Sequence, residues 1–199
     1  MNKEIFTMIN ELAGQDPLTD SIIIFCAKYL VFILVGVAAT LIGYLIYKRQ
    51  WRPVIFFGAN LILTFAFLLI ASKLYISARP FVGNSDVTML ISHAANQSFP
   101  SDHTTVSIAI AFGLTFFTRY KFIGLLAIIT ACIIGFARIV AGVHYPLDIL
   151  GAIGVGAAAS IVVGIISTAS AAKQSSMRFD PPKKFDAPKQ PDVKKKSQL

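Results

Sequence analysis

Residues 21–47 read SIIIFCAKYLVFILVGVAATLIGYLIY, an unbroken apolar run that carries a single charge, Lys28. At about 1.5 Å per residue, such a run crosses a ~30 Å hydrocarbon core with some tilt. Lys28 lies near its first end, where a long side chain can snorkel to the headgroups. Lys48, Arg49 and Arg52 follow, and Pro53 opens a second apolar run over roughly 54–76. A loop from Ser77 to Asp102 separates these from three further runs, at about 103–118, 122–140 and 146–168. Composition agrees. The chain is 55% hydrophobic and 14% charged, with mean hydropathy +0.69, whereas a soluble domain carries about 25% charged residues.

The expected fold class is therefore all-α, an integral membrane helical bundle of five transmembrane helices. Ahead of them, residues 2–13 place Ile5, Phe6, Ile9 and Leu12 on one helical side, with Lys3, Glu4 and Glu11 elsewhere. That is the pattern of a short amphipathic helix lying at the interface, ended by Gly14 to Pro17. Its flanks do not match a signal peptide. Gly151, Gly154, Gly156 and the Ala157–Ser160 stretch suit the last span to close helix packing. Residues 1–169 read as one membrane-embedded domain and 170–199 as a basic, disordered tail. Cys26 and Cys132 sit inside apolar runs without metal-ligand spacing, which predicts neither a disulfide nor a zinc site.

Charge fixes the expected orientation. The net charge is +8. The 48–53 loop has three basic residues, the 119–121 loop has two, and residues 170–199 have eight Lys/Arg against three Asp. Five spans put all three segments on one side, which the positive-inside rule makes cytoplasmic. A basic end beside a membrane reads as lipid-attracted rather than as a nucleic-acid arm. Arg79 and Arg138 then lie on the outer side, against this bias, so an anion is expected to meet them.

Three stretches converge on that outer side. Lys73 and Arg79-Pro80 end the second span, where the two cations can bracket one phosphate group. Pro100-Ser101-Asp102-His103 opens the third, with Ser101 or Asp102 as a helix cap over free backbone N–H groups that suit an anion. The last stretch is Arg138-Ile-Val-Ala-Gly-Val-His144-Tyr-Pro-Leu-Asp148. Pro146 suits a first helical turn, so Asp148 falls one turn after His144, within reach of its ring. A carboxylate there fixes the imidazole tautomer. Alone, each stretch is an ordinary helix end. Together they place two histidines, two arginines, a lysine and a serine on one side of a membrane, where ionisable groups cost roughly 2.5–3.5 kcal/mol each. His93 has no partner pattern and reads as structural.

The three stretches resemble, in order, the signatures of the type 2 phosphatidic acid phosphatase superfamily. Its Lys…Arg-Pro motif is matched by Lys73, Arg79 and Pro80, and its Pro-Ser-Gly-His by Pro100, Ser101 and His103. Its Ser-Arg, five residues, His, three residues, Asp is matched by Arg138, His144 and Asp148. Five residues rather than six separate Lys73 from Arg79, Asp102 replaces Gly, and Ala137 replaces Ser. The Pro-Ser-Asp-His form and the start Asn2-Lys3-Glu4-Ile5-Phe6 are similar to bacterial undecaprenyl-diphosphate phosphatases of the bacitracin-resistance type.

The resemblance implies hydrolysis of undecaprenyl diphosphate to undecaprenyl phosphate at the outer face of a bacterial cytoplasmic membrane, recycling a cell-wall carrier lipid. His144 would be the nucleophile, oriented by Asp148. His103 would be the general acid and base. Lys73, Arg79, Ser101 and Arg138 would bind the phosphoryl oxygens. No metal or other cofactor is implied, and the expected partners are a polyprenyl diphosphate or other phosphorylated lipid and membrane lipids, with no nucleic acid. Two alternatives stand beside this reading. One is a phosphatase for phosphatidic acid, phosphatidylglycerophosphate or another phospholipid. The other is a non-catalytic protein that binds or translocates an anionic lipid, which would need the cations but not the pairing of His144 with Asp148.

Overall fold

The computed structural model describes residues 1–178, in which all the regular secondary structure is helical. Among these residues the order is α1 (Asn2–Asn10), α2 (Pro17–Lys28), α3 (Leu30–Tyr47), α4 (Trp51–Leu74), α5 (Asp102–Phe117), α6 (Lys121–Val140) and α7 (Pro146–Arg178). Four of them, α3, α4, α6 and α7, are long and apolar enough to cross a membrane. The helix α7 continues past residue 169 to Arg178, and the expected disordered tail from residue 179 onward lies outside the described residues.

The first apolar run differs from its expected form. It is two helices, broken at Tyr29, whose φ of −109° lies outside the usual helical range. At the break Arg138 Nη1 donates to the Ala27 carbonyl at 3.2 Å. A side-chain donor entering the backbone ladder is a recognised cause of a sharp bend. Nor does Pro17 end the preceding element: it opens α2, capped by Asp16, whose carboxylate accepts from Thr19 N–H at 2.8 Å. Pro at a first helical position loses no hydrogen bond.

The helix α5 is central. It packs against α3, α4, α6 and α7, and its residues from Ser107 to Ala111 are all buried. Sixteen residues span about 24 Å, so α5 is shorter than its neighbours and is enclosed by them. Asn60 of α4 fixes three helices at mid-bundle. Its amide donates to the Ala109 carbonyl at 2.9 Å and its oxygen accepts from Ser160 Oγ at 2.8 Å. Such a bond among apolar neighbours stabilises because the alternative is an unpaired polar group in hydrocarbon.

The helix α1 is present and is held to the body of the protein by two asparagines. Phe6 is buried against Ile139 and Ile149 and meets the Tyr145 ring edge-on, 5.2 Å between centroids. Asn10 donates to the carbonyls of Thr88 (2.9 Å) and Val140 (2.8 Å) and accepts from Thr88 N–H (3.0 Å). Asn2 Oδ1 accepts from Leu147 N–H at 3.1 Å. One short helix thereby joins the α4–α5 loop, the end of α6 and the start of α7. Gly142 completes this junction. Its φ is +80°, and a Cβ would lie 2.5 Å from the Thr88 carbonyl oxygen, so only glycine fits there.

Candidate active site

The ends of α4, α5, α6 and α7 and the α2–α3 break frame one buried polar cluster. Pro146 begins α7, and Tyr145 just before it donates its N–H to Asp148 Oδ2 at 2.8 Å. This fixes the first turn and aims the Asp148 carboxylate back along the chain. His144 Nδ1 lies 3.3 Å from the same oxygen, and Ser98 Oγ donates to it at 2.5 Å. Asp148 and His144 are 1% and 2% exposed.

The other ring nitrogen faces two guanidinium groups. Arg79 Nη1 is 3.2 Å and Arg138 Nη2 3.3 Å from His144 Nε2. Arginine has donors and no acceptor, so Nε2 must supply the lone pair and Nδ1 must carry the hydrogen that Asp148 receives. The tautomer is set by the network. Burial holds the imidazole of His144 down, to about 4. The Asp148 hydrogen bond opposes this, while the nearby positive charges of Arg138 and Arg79 reinforce it. The ring is neutral at pH 7, with its lone pair between two cations.

Both arginines are oriented by backbone. Arg79 donates from Nη1 to the Val143 carbonyl at 2.9 Å and from Nε to Asn96 Oδ1 at 2.8 Å. Burial lowers its pKa, and the carboxylates of Asp102 and Asp148 oppose the shift. Arg138 reaches Ala27 as described, and among the described residues its Nε is buried without a partner. Among the described residues neither guanidinium forms an ion pair. A phosphoryl group, with three acceptor oxygens, suits their donors.

His103 sits half-buried in the first turn of α5 and lines a cavity of about 450 Å³ together with Arg138, His93 and Lys28. The His93 ring lies 6.4 Å from that of His144, and burial, then the Arg79 charge, lowers its pKa. The structure therefore gathers Arg79, His103, Arg138, His144 and Asp148. Lys73 is exposed in the last turn of α4. Ser101 is at the N-cap of α5 but is fully buried, and its hydroxyl accepts from Thr104 Oγ1 at 3.1 Å instead of capping a backbone N–H. Its own N–H donates to the Asp148 carbonyl at 3.2 Å, so it ties α5 to α7. Ser98, Asn96, His93 and Lys28 were not among the sequence candidates. Ser98 precedes Ser101 by one short step in a loop, and nothing periodic marks it.

A model of the PAP2 superfamily matches residues 73–171. The undecaprenyl-diphosphatase BcrC of Bacillus subtilis is 35% identical over 168 residues, covering 83% of this chain and 82% of that protein. The chain belongs to the PAP2 superfamily. Membership makes it an enzyme of the lipid-phosphatase class. A second relative, named bacitracin transport permease protein BcrC, from Bacillus licheniformis, is 30% identical over 84% of this chain and 77% of its own length. The crystal structure of Aquifex aeolicus LpxE superposes with a TM-score of 0.64 at 27% identity, covering 84% of this chain and 94% of that one. The superfamily match starts at Lys73 and takes in every residue of the cluster except those of α2.

Proposed function

We propose that this protein hydrolyses a polyprenyl diphosphate, undecaprenyl diphosphate, to the monophosphate and inorganic phosphate through a phosphohistidine. The observation that carries the reading is the His144 ring, with Nδ1–H on Asp148 and the Nε2 lone pair between Arg79 and Arg138. Nε2 attacks the terminal phosphorus while both guanidinium groups hold its oxygens, and charge growing there is met by donors already in place. His103, which shares its cavity with Arg138, gives a proton to the departing oxygen and then takes one from the hydrolytic water. The arginines supply the charge stabilisation, and no step calls for a metal ion.

The proposed topology has α3 to α7 as five spans, with α1 at the interface and the cluster on the outer face. The enclosed position of α5 supports counting it as a span despite its length. An outward site meets carrier lipid released by cell-wall polymer synthesis, and names given to relatives point the same way. The permease name of another relative makes lipid translocation a second activity to weigh beside hydrolysis.

The test is phosphate release by the purified protein in detergent micelles. Undecaprenyl diphosphate, phosphatidic acid and phosphatidylglycerophosphate are compared, each with and without chelator. The expected result is preference for the diphosphate, unaffected by chelator, with an acid-labile phosphoenzyme that His144→Ala abolishes. A phospholipid preference would reassign the substrate, and no phosphate release would favour translocation.

A further inference from the structure

Lys28 is placed by the structure where the sequence gives no reason to expect it. It is the last residue of α2, next to the break at Tyr29, and it lines the cavity shared by His103 and Arg138. Its position is tied to the catalytic cluster, because Arg138 donates at once to the neighbouring Ala27 carbonyl and towards His144. The Lys28 ammonium lies 5.2 Å from the centroid of the Tyr29 ring. Among the described residues it forms no ion pair. Lys28 is exposed at the rim of this cavity, and no carboxylate is among the residues that line it, which suits an anionic ligand.

The direction of the substrate decides which anion this is. The terminal phosphate belongs at His144, Arg79 and Arg138, and the bond that breaks faces His103. Beyond His103 a largely apolar groove of about 260 Å³ between α3 and α5 continues along Val31, Phe32, Val35 and Val106, with Asp102 also in its lining. Phe32 and His103 line both spaces, so a lipid chain in the groove brings its head group past His103 and Lys28 before it reaches His144.

We propose that Lys28 binds the lipid-side phosphate of a diphosphate substrate and makes this site selective for diphosphates over monophosphate esters. The inference rests on the phosphohistidine reading above. In the first step, a bond forms from His144 Nε2 to the terminal phosphorus, and the bond from that phosphorus to the bridging oxygen breaks. The bridging oxygen takes the His103 proton and leaves on a lipid monophosphate, which is still an anion. A monophosphate ester releases a neutral alcohol at the same place. An ammonium there stabilises the first leaving group and has no charge to meet in the second.

The experiment uses farnesyl diphosphate and farnesyl monophosphate as a chain-matched pair, with initial rates on the full-length protein in micelles. For Lys28→Met the ratio of kcat/KM between diphosphate and monophosphate should fall about tenfold, the scale of one charge-assisted contact. Lys28→Arg should restore most of it. An unchanged ratio in Lys28→Met, or equal losses on both substrates, overturns the role of Lys28. Wild-type protein that releases no phosphate from the diphosphate overturns the underlying reading instead.

Discussion

Asp148 Oδ2 receives the Ser98 hydroxyl, the Tyr145 N–H and the His144 Nδ1–H. A carboxylate oxygen so occupied cannot turn away, so the imidazole is held in one tautomer and one orientation. Its counterpart is the pair of guanidinium groups that keep Nε2 unprotonated. This arrangement has a cost in acid. His144 is held to about 4 in the folded protein, against an ordinary 6.5. Between those values the unfolded chain binds a proton that the folded one does not. Stability is therefore fully present above about pH 6.5 and declines as pH falls towards 4. His93, also lowered, adds a loss of the same sign. Unfolding followed in micelles at pH 7.5 and pH 5 should show wild type losing more stability than His144→Asn. An equal loss in both would remove His144 as the source.

At the level of elements, the site depends on how closely α7 approaches the loop between α4 and α5. Gly151 is the contact point: a Cβ there would overlap the Phe99 ring. Phe99 is packed edge-on against Tyr75 at 4.9 Å, and the loop is pinned by Ser98 N–H donating to the Ser77 carbonyl at 2.8 Å. Gly151→Ala should push Phe99 and its neighbour Ser98 away from Asp148. The expected outcome is a loss of kcat by about tenfold or more, the scale of one hydrogen bond to a charged group, with helical content by circular dichroism unchanged. Full activity in Gly151→Ala would mean that the Ser98 contact does not depend on this packing. The same dependence on neighbours explains the α2–α3 break, where a side chain of α6 meets a backbone carbonyl of α2.

At the scale of the whole molecule, the question is which side of the membrane the cluster faces. The α3–α4 turn, with Lys48, Arg49 and Arg52, lies at the opposite ends of α3 and α4 from the cluster. Asn84 in the α4–α5 loop and Lys48 are both exposed. In a background with Cys26→Ser and Cys132→Ser, intact cells treated with a membrane-impermeant maleimide should label Asn84→Cys and leave Lys48→Cys unlabelled. The reverse pattern would turn the site to the cytoplasm and exclude a diphosphate carried on the exterior leaflet. The enclosure of α5 by four neighbours belongs to this scale too. A helix of that length starting with Asp102 and His103 is stable because other helices, not lipid, surround it.

Sequence by itself determined the helical class, the positions of α4 to α6 and the start of α7 to within a few residues, and the His144–Asp148 pairing. Each of these follows from local rules: run length, a proline at a first turn, and a four-residue step along a helix. It also marked Arg79, Arg138 and His103, because charge between apolar runs stands out. Tertiary structure decided what local rules do not contain. Arg79 reaches His144 across 65 positions of chain and Ser98 reaches Asp148 across 50, and no periodicity records such meetings. Lys73 and Ser101 carry the expected residue types, yet one is left exposed and the other buried between helices. Lys28 reads as a snorkelling side chain in the sequence, and only the break at Tyr29 sets it at the rim of the His103 cavity. The physical reason is common to all: a helix is specified by its own residues, whereas the partners of a loop or a helix end are chosen by the packing of the whole bundle.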